Sequence, residues 1–237
     1  MFEVDADIRK AKTLASDFYT DPQFFEASKE KIFARTWHFL CHKSEVESLK
    51  PHHLLPGVLD EPVVLSRSAD TFSCLSNVCT HRGKILVEEP CTANLIKCNY
   101  HGRRFSLYGK FLSMPEFEGV EDFPTEADDL RRIPMTAAGG FLFCSLDPAV
   151  SFEEFLAGVP KLFPSHKEAP VLRVRREYEV DAHWALYCEN YLEGFHIPYV
   201  HKSLNAIVDY ATYTTETFRY SSLQTGFDEN RKVAARY

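Results

Sequence analysis

The sequence predicts an α+β fold: a small antiparallel β domain followed by a helix-led segment. Three observations predict it. Between residues 54 and 146 the chain breaks into short apolar stretches, Pro62–Ser66, Phe72–Val78, Asn94–Cys98, Lys110–Ser113 and Gly140–Leu146, each bounded by Gly, Pro, Asn or Asp, which is the texture of short strands. Helix-start signals stand on either side, at Asp21-Pro22 and at Ser151-Phe-Glu-Glu154. Of the 237 residues 45% are apolar and 14% aromatic, which is ample for a core.

Residues 5–20 read as a polar lead-in. Asp21 then caps a helix, Pro22 fits its first turn, and Phe24, Phe25, Ala27, Ile32 and Phe33 give it an apolar face. Trp37, Phe39 and Leu40 continue into a strand and are expected to pack. After the β domain's fourth stretch, the acidic run Glu116–Asp129 offers no paired spacing and reads as a solvated loop. Ser151 caps a short helix with Glu154 three residues on, and Pro160, Pro164 and Pro170 make a linker. Leu172, Val174, Tyr178 and Val180 alternate as in a strand. A helix is expected from about His183 to His196, and strand-like sequence through Thr212–Tyr220. The expected boundaries are 1–40 (an N-terminal helical segment packing on the last segment), 41–150 (β domain) and 151–237. No internal repeat is present.

Composition narrows the function. The net charge is −7 with no basic stripe, which argues against a nucleic-acid partner. No apolar run reaches the roughly 18–20 residues of a membrane span, and the start Met-Phe-Glu-Val-Asp lacks the basic and apolar parts of a signal peptide. The expectation is a cytoplasmic protein without a membrane partner. Seven cysteines in a reducing compartment do not predict a disulfide framework, and Cys41, Cys74, Cys91, Cys144 and Cys188 read as small core residues.

The chemistry concentrates in two places. The first is Cys79-Thr-His81 and, sixteen residues later, Cys98-Asn-Tyr-His101, each pair followed by a glycine, Gly83 or Gly102. Each loop supplies one sulfur and one nitrogen, and the glycines let the backbone turn tightly and aim N–H groups at a sulfide. Such a set suits a [2Fe–2S] cluster with two thiolates on one iron and two imidazoles on the other. A structural zinc site also accepts two Cys and two His. Zinc fingers, however, pair Cys with Cys and His with His, so the mixed arms disfavour it.

The second is the run from Glu189 to His201, which holds Glu189, Asn190, Glu193, His196 and His201. Glu189, Glu193 and His196 would share a helix face. His201 would be turned roughly 140° from His196 at ~100° per residue on a regular helix, but Pro198 makes a bend that can bring the two imidazoles together. Two His and a carboxylate with open positions suit a mononuclear Fe(II) that activates O2. Taken alone, an amphipathic helix with hydrogen-bonded histidines explains the run as well.

The two loops, Val78-Cys-Thr-His-Arg-Gly83 and Cys98-Asn-Tyr-His-Gly102, resemble the Rieske iron–sulfur motif. Respiratory Rieske proteins carry a further cysteine in each loop. Lys84 and Tyr100 stand there instead, which points to the Rieske type of oxygenases and their ferredoxins. The run Asn190 to His201 resembles the mononuclear-iron motif of Rieske non-heme iron oxygenases, and residues 21–43 resemble their N-terminal helix and strand. The resemblance implies an oxygenase α subunit whose β domain precedes a helix-grip catalytic domain. His196 and His201 would bind Fe(II). Glu193, where Asp is commoner, would relay electrons and meet His81 or His101 of a neighbouring subunit in a homotrimer, with Asn190 close to the iron. It further implies NAD(P)H as the electron source through a separate reductase or ferredoxin, O2 as co-substrate, and hydroxylation or demethylation of a small organic substrate. The Asn190–His201 stretch looks closer to choline- and betaine-type members than to naphthalene-type ones, and an aromatic ring stays open. The third ligand of the family, an Asp, falls later than residue 237, so the expectation is a truncated chain in which neither Asp209 nor Asp228 replaces it. The second hypothesis is a Rieske ferredoxin-like electron carrier without catalytic iron.

Overall fold

The computed structural model describes residues 2–157, 171–228 and 233–236. The chain divides into two units. One is formed by residues 29–149 with 165–171, the other by residues 1–28, 150–164 and 172–237.

The unit at 29–149 is built of antiparallel strands, as the short bounded stretches predict. Its strands are β1 (His38–His42), β2 (Leu49–Leu54), β3 (Glu61–Ser68), β4 (Thr71–Ser76), β5 (Ile96–Lys97), β6 (Arg104–Phe105), β7 (Phe111–Ser113), β8 (Arg132–Ile133), β9 (Met135–Ala138) and β10 (Phe141–Cys144). They form three sheets, ordered β2-β3-β4-β8, β1-β10-β9 and β5-β6-β7. β2 was not expected: Pro51 interrupts its pattern. The strand sits at a sheet edge, where a missing N–H costs no ladder bond, and Pro51 pairs with Val64.

β3 organises this unit because both of its faces are buried. Val63 and Leu65 point into one core with Leu40, Val46, Leu54, Cys74, Ile133, Leu142 and Cys144. Val64, between them, points into a second core with Leu49, Leu75, Leu86, Val87, Ile96, Phe105, Leu130 and the two cysteines Cys79 and Cys98. That is why β3 reads as an unbroken apolar run rather than an alternation. The second core is where the cysteine–histidine loops are anchored. Leu75 is fully buried there, so Leu75→Ala is expected to cost about 2–5 kcal/mol.

In the other unit the lead-in is less featureless than its composition suggests. It contains α1 (Asp17–Thr20) ahead of α2 (Pro22–Lys31). Phe2, Phe18 and Phe24 pack edge to face, and Phe18 meets His183 and Trp184. Ser151 caps α3 (Phe152–Phe155) by accepting the Glu154 N–H. The proline linker lies outside the described residues. Residues 172–180 do not form the expected strand. Val171, Leu172, Val174, Tyr178 and Val180 are all exposed, and the segment has no ladder partner among the described residues, without which alternation cannot bury a face.

The helix expected over 183–196 is shorter. α4 (Trp184–Leu192) starts at the His183 cap and stops at Glu193, whose backbone is extended (φ −112°, ψ 148°). α5 (Ile197–Val200) and α6 (Lys202–Asn205) follow, with Pro198 in the first turn of α5, where it costs no hydrogen bond. β11 (Val208–Thr217), β12 (Ser222–Asp228) and β13 (Val233–Arg236) form an antiparallel sheet. Among the described residues no helix is long and apolar enough to cross a membrane. Two of the cysteines expected in cores, Cys91 and Cys188, are exposed instead; Cys41, Cys74 and Cys144 are buried.

Candidate metal centres

The two cysteine–histidine loops share one backbone frame. Each is closed by a bridged pair, Val78 with Ile85 and Lys97 with Arg104. Inside that closure the Cys79 N–H donates to the Lys84 carbonyl (2.9 Å) and the Gly83 N–H donates back to the Cys79 carbonyl (3.0 Å). In the second loop the Cys98 N–H donates to the Arg103 carbonyl (2.8 Å) and the Gly102 N–H to the Cys98 carbonyl (3.0 Å). Both glycines sit at positive φ, +69° and +72°, a conformation that a side chain resists. The histidine stands two residues after the cysteine in one loop and three in the other, yet the glycine comes four after it in both.

The frame sorts the side chains by type. Cys79 and Cys98 are buried in the same core, and the His81 and His101 rings lie 4.8 Å apart between centroids. Burial raises the Cys79 thiol pKa and the Cys98 sulfur adds to the rise, while the backbone N–H groups of His81 and Arg82 pull it down. Burial, then His101, Arg82 and Arg103, hold the His81 imidazole below its ordinary value, which favours the form that can donate a lone pair. The His81 Nδ1 atom is buried and has no hydrogen-bond partner in the protein, a cost unless another atom takes its lone pair. Tyr100 stacks on His101 at 3.8 Å, and Phe117 meets His81 edge-on. Thiols gathered in one pair and imidazoles in another fit a two-iron cluster. Among the described residues no three Cys, His, Asp or Glu side chains converge as on a single ion.

The acidic run is not merely solvated. Asp128 grips the buried Arg103 guanidinium, and Asp129 accepts from Lys110 Nζ and from the Phe111 N–H, both at 2.7 Å. Sequence reasoning missed Arg103 and Asp128. The traces that could have found them are a charge directly after Gly102 and the capping-box spacing Thr125-x-x-Asp128, which the structure contains.

The second constellation surrounds a cavity of about 220 Å³ lined by Asn190, Glu193, His196, His201, Tyr213 and Gln224 among others. The expected helix face of Glu189, Glu193 and His196 does not exist, because α4 ends before Glu193. Glu189 instead accepts from the Tyr19 hydroxyl at 2.7 Å, which raises the tyrosine's pKa. The turn at Gly194 returns Glu193 onto His196, and its carboxylate hydrogen-bonds the Nδ1 atom. A carboxylate only accepts, so Nδ1 carries the proton of this bond, and Nε2 is the ring nitrogen that Glu193 does not engage. The bend at Pro198 does bring the imidazoles together: the His196 and His201 rings are 5.0 Å apart. The turn is pressed against Tyr213, whose ring a Cβ at Gly194 would strike. Tyr213 in turn donates to Gln224, which donates to the Tyr191 carbonyl at 3.1 Å. Tyr213 and Gln224, which reach the site from β11 and β12, carry no local mark that could have found them. Asp209 is engaged elsewhere, accepting from the Ala211 N–H, and the Asp228 side chain lies outside the described residues.

Comparison with known proteins follows the same division. Residues 36–124 match the family of the Rieske [2Fe-2S] domain. Choline monooxygenase of Arabidopsis thaliana is 28% identical over 94% of this chain and 56% of its own length. The carnitine monooxygenase oxygenase subunit of Escherichia coli K12 is 30% identical over 94% of this chain and 61% of its own. A crystal structure of a quaternary ammonium Rieske monooxygenase superposes with a TM-score of 0.78 at 28% identity, over 93% of this chain and 62% of that one. The chain thus spans less than two thirds of the length of these relatives. It carries the Rieske [2Fe–2S] domain over residues 36–124 and, beyond it, is similar in sequence and fold to the oxygenase subunits of Rieske oxygenases.

Proposed function

We propose that Cys79 and Cys98 hold one iron of a [2Fe–2S] cluster and His81 and His101 the other, and that the chain works in the oxygenase component of a Rieske system. The observation that carries this is the pair of identically framed loops that gather thiols with thiols and imidazoles with imidazoles. His196 and His201 would hold a mononuclear Fe(II), with Asn190 beside it. When bound, the cluster supplies single electrons and the mononuclear iron supplies O2 activation, for hydroxylation or demethylation of a small organic substrate.

The chain's own groups have definable tasks. Glu193 fixes the proton of His196 on Nδ1 and so aims the ring. In a homotrimer the same carboxylate would bridge to His81 or His101 of a neighbouring copy, the electrons arriving from NAD(P)H through a reductase or ferredoxin. Tyr191, Tyr213, Ile197, Leu204 and Val208 line the cavity. Aromatic faces with a nearby carboxylate favour a cation over a neutral ring. With relatives that act on choline and carnitine, this makes a quaternary amine the preferred substrate class.

The test is iron, acid-labile sulfide and zinc per chain after anaerobic purification. About two irons and two sulfides, with a further iron lost in His196→Ala while the cluster stays, are expected. Two irons unaffected by His196→Ala or His201→Ala would reduce the chain to an electron carrier. Zinc without sulfide would overturn the whole reading.

A further inference from the structure

Arg103 is a charge where none is needed for packing. Its side chain is 3% exposed, and the guanidinium carbon lies 4.8 Å from the Phe111 ring centre, 5.6 Å from Phe123 and 5.8 Å from Phe105. An apolar side chain would fill this aromatic pocket without the desolvation cost of a buried cation. Among the described residues the charge is paired with the Asp128 carboxylate.

What distinguishes this pair is its reach. The backbone of Arg103 closes the second loop, since its carbonyl takes the Cys98 N–H. Its side chain leaves that loop and grips Asp128, through the carboxylate and, at 3.4 Å, the backbone carbonyl. That same carbonyl accepts the Thr80 hydroxyl at 2.9 Å, and Thr80 lies between Cys79 and His81 in the first loop. Asp128 cannot drift, because Thr125 donates both its N–H (2.8 Å) and its hydroxyl (3.1 Å) to the outer carboxylate oxygen. The two loops have no backbone ladder to each other, so their spacing depends on side chains such as these.

We infer that Arg103 and Asp128 form a strap between the two loops, and that these positioning residues set how firmly the cluster is held and at what potential it is reduced. The inference rests on the assignment of the quartet to a [2Fe–2S] cluster. A partner that orients a ligand from outside the coordination sphere changes metal retention roughly 10–100-fold when removed. Thr80 extends the same chain of contacts to the residue between the two ligands of the first loop.

The experiment uses the full, cluster-loaded chain and follows iron release to a chelator, the electron paramagnetic resonance signature of the reduced cluster, and its reduction potential. Arg103→Met and Asp128→Ala are expected to release iron roughly tenfold faster or more and to shift both signature and potential. Thr80→Val should move all three in the same sense by less. Arg35→Met, which breaks the surface pair with Asp147 in the same unit, should move none. A lowered melting temperature with unchanged release, signature and potential overturns the strap and leaves the pair as packing. Should Arg103→Met not fold, Thr80→Val decides: parent-like release and potential overturn the inference. A parent chain without iron and sulfide overturns the cluster assignment itself, and the strap with it.

Discussion

Asp128 and Asp129 are adjacent and serve different neighbours. Asp129 is held below the ordinary carboxylate value of 3.8 by the Lys110 ammonium first and the Phe111 N–H second. Asp128 is lowered chiefly by the Thr125 N–H, against some burial, with Arg103 assisting. Both folded values lie below the unfolded one. Their stabilisation is therefore complete above the unfolded pKa and is lost as the pH falls through the folded values. Asp129→Asn is expected to cost about 1 kcal/mol at neutral pH, with the difference from the parent shrinking below pH 3.8. Denaturant titrations at several pH values check this, and a pH-independent gap would contradict it. At this scale the cysteines and histidines are legible in the sequence because their spacing is local. Arg103 and Asp128 are not, because the contact spans twenty-five residues, and the capping-box spacing marks Asp128 as a cap without pointing to Arg103.

The break after α4 shows what periodicity misses. Glu189, Glu193 and His196 fit a helical spacing, and Glu193 and His196 do meet, but across a turn rather than along a face. Gly194 makes the turn possible, since its missing Cβ leaves room for the Tyr213 ring. Gly194→Ala is accordingly expected to displace Glu193 from His196 and to lower iron at the second site several-fold while sulfide content stays constant. A parallel loss of sulfide would mean that the change acts through global stability. The strand at 172–180 failed for the opposite reason: the alternation is present in the sequence, but a strand is a relation between two segments, and no partner is described. β3 was legible because an apolar run with both faces buried leaves the same mark wherever its partners lie.

At the level of the whole molecule, the α+β class and the β domain were readable from turn residues and apolar stretches. Residues 1–28 group with 172–237 rather than with the strands that follow them; the sequence expectation likewise placed the N-terminal segment, drawn to residue 40, on the last segment. Both apolar cores of the β unit are supplied by residues 40–144. A fragment of residues 29–149 is expected to fold and to bind two irons and two sulfides per chain. An unfolded circular-dichroism spectrum for that fragment would show that the remaining residues supply stability the cores do not. The shared frame of the two loops has a consequence for how such a centre can change. The backbone is closed by the cysteine, the glycine and the bridged pair, and the histidine occupies a different place in each loop without altering that closure. The loop is then a socket whose plug is exchangeable: at position 81 or 101 an imidazole can give way to a thiolate, adding one negative charge to what is held, while the fold around it has nothing to relearn.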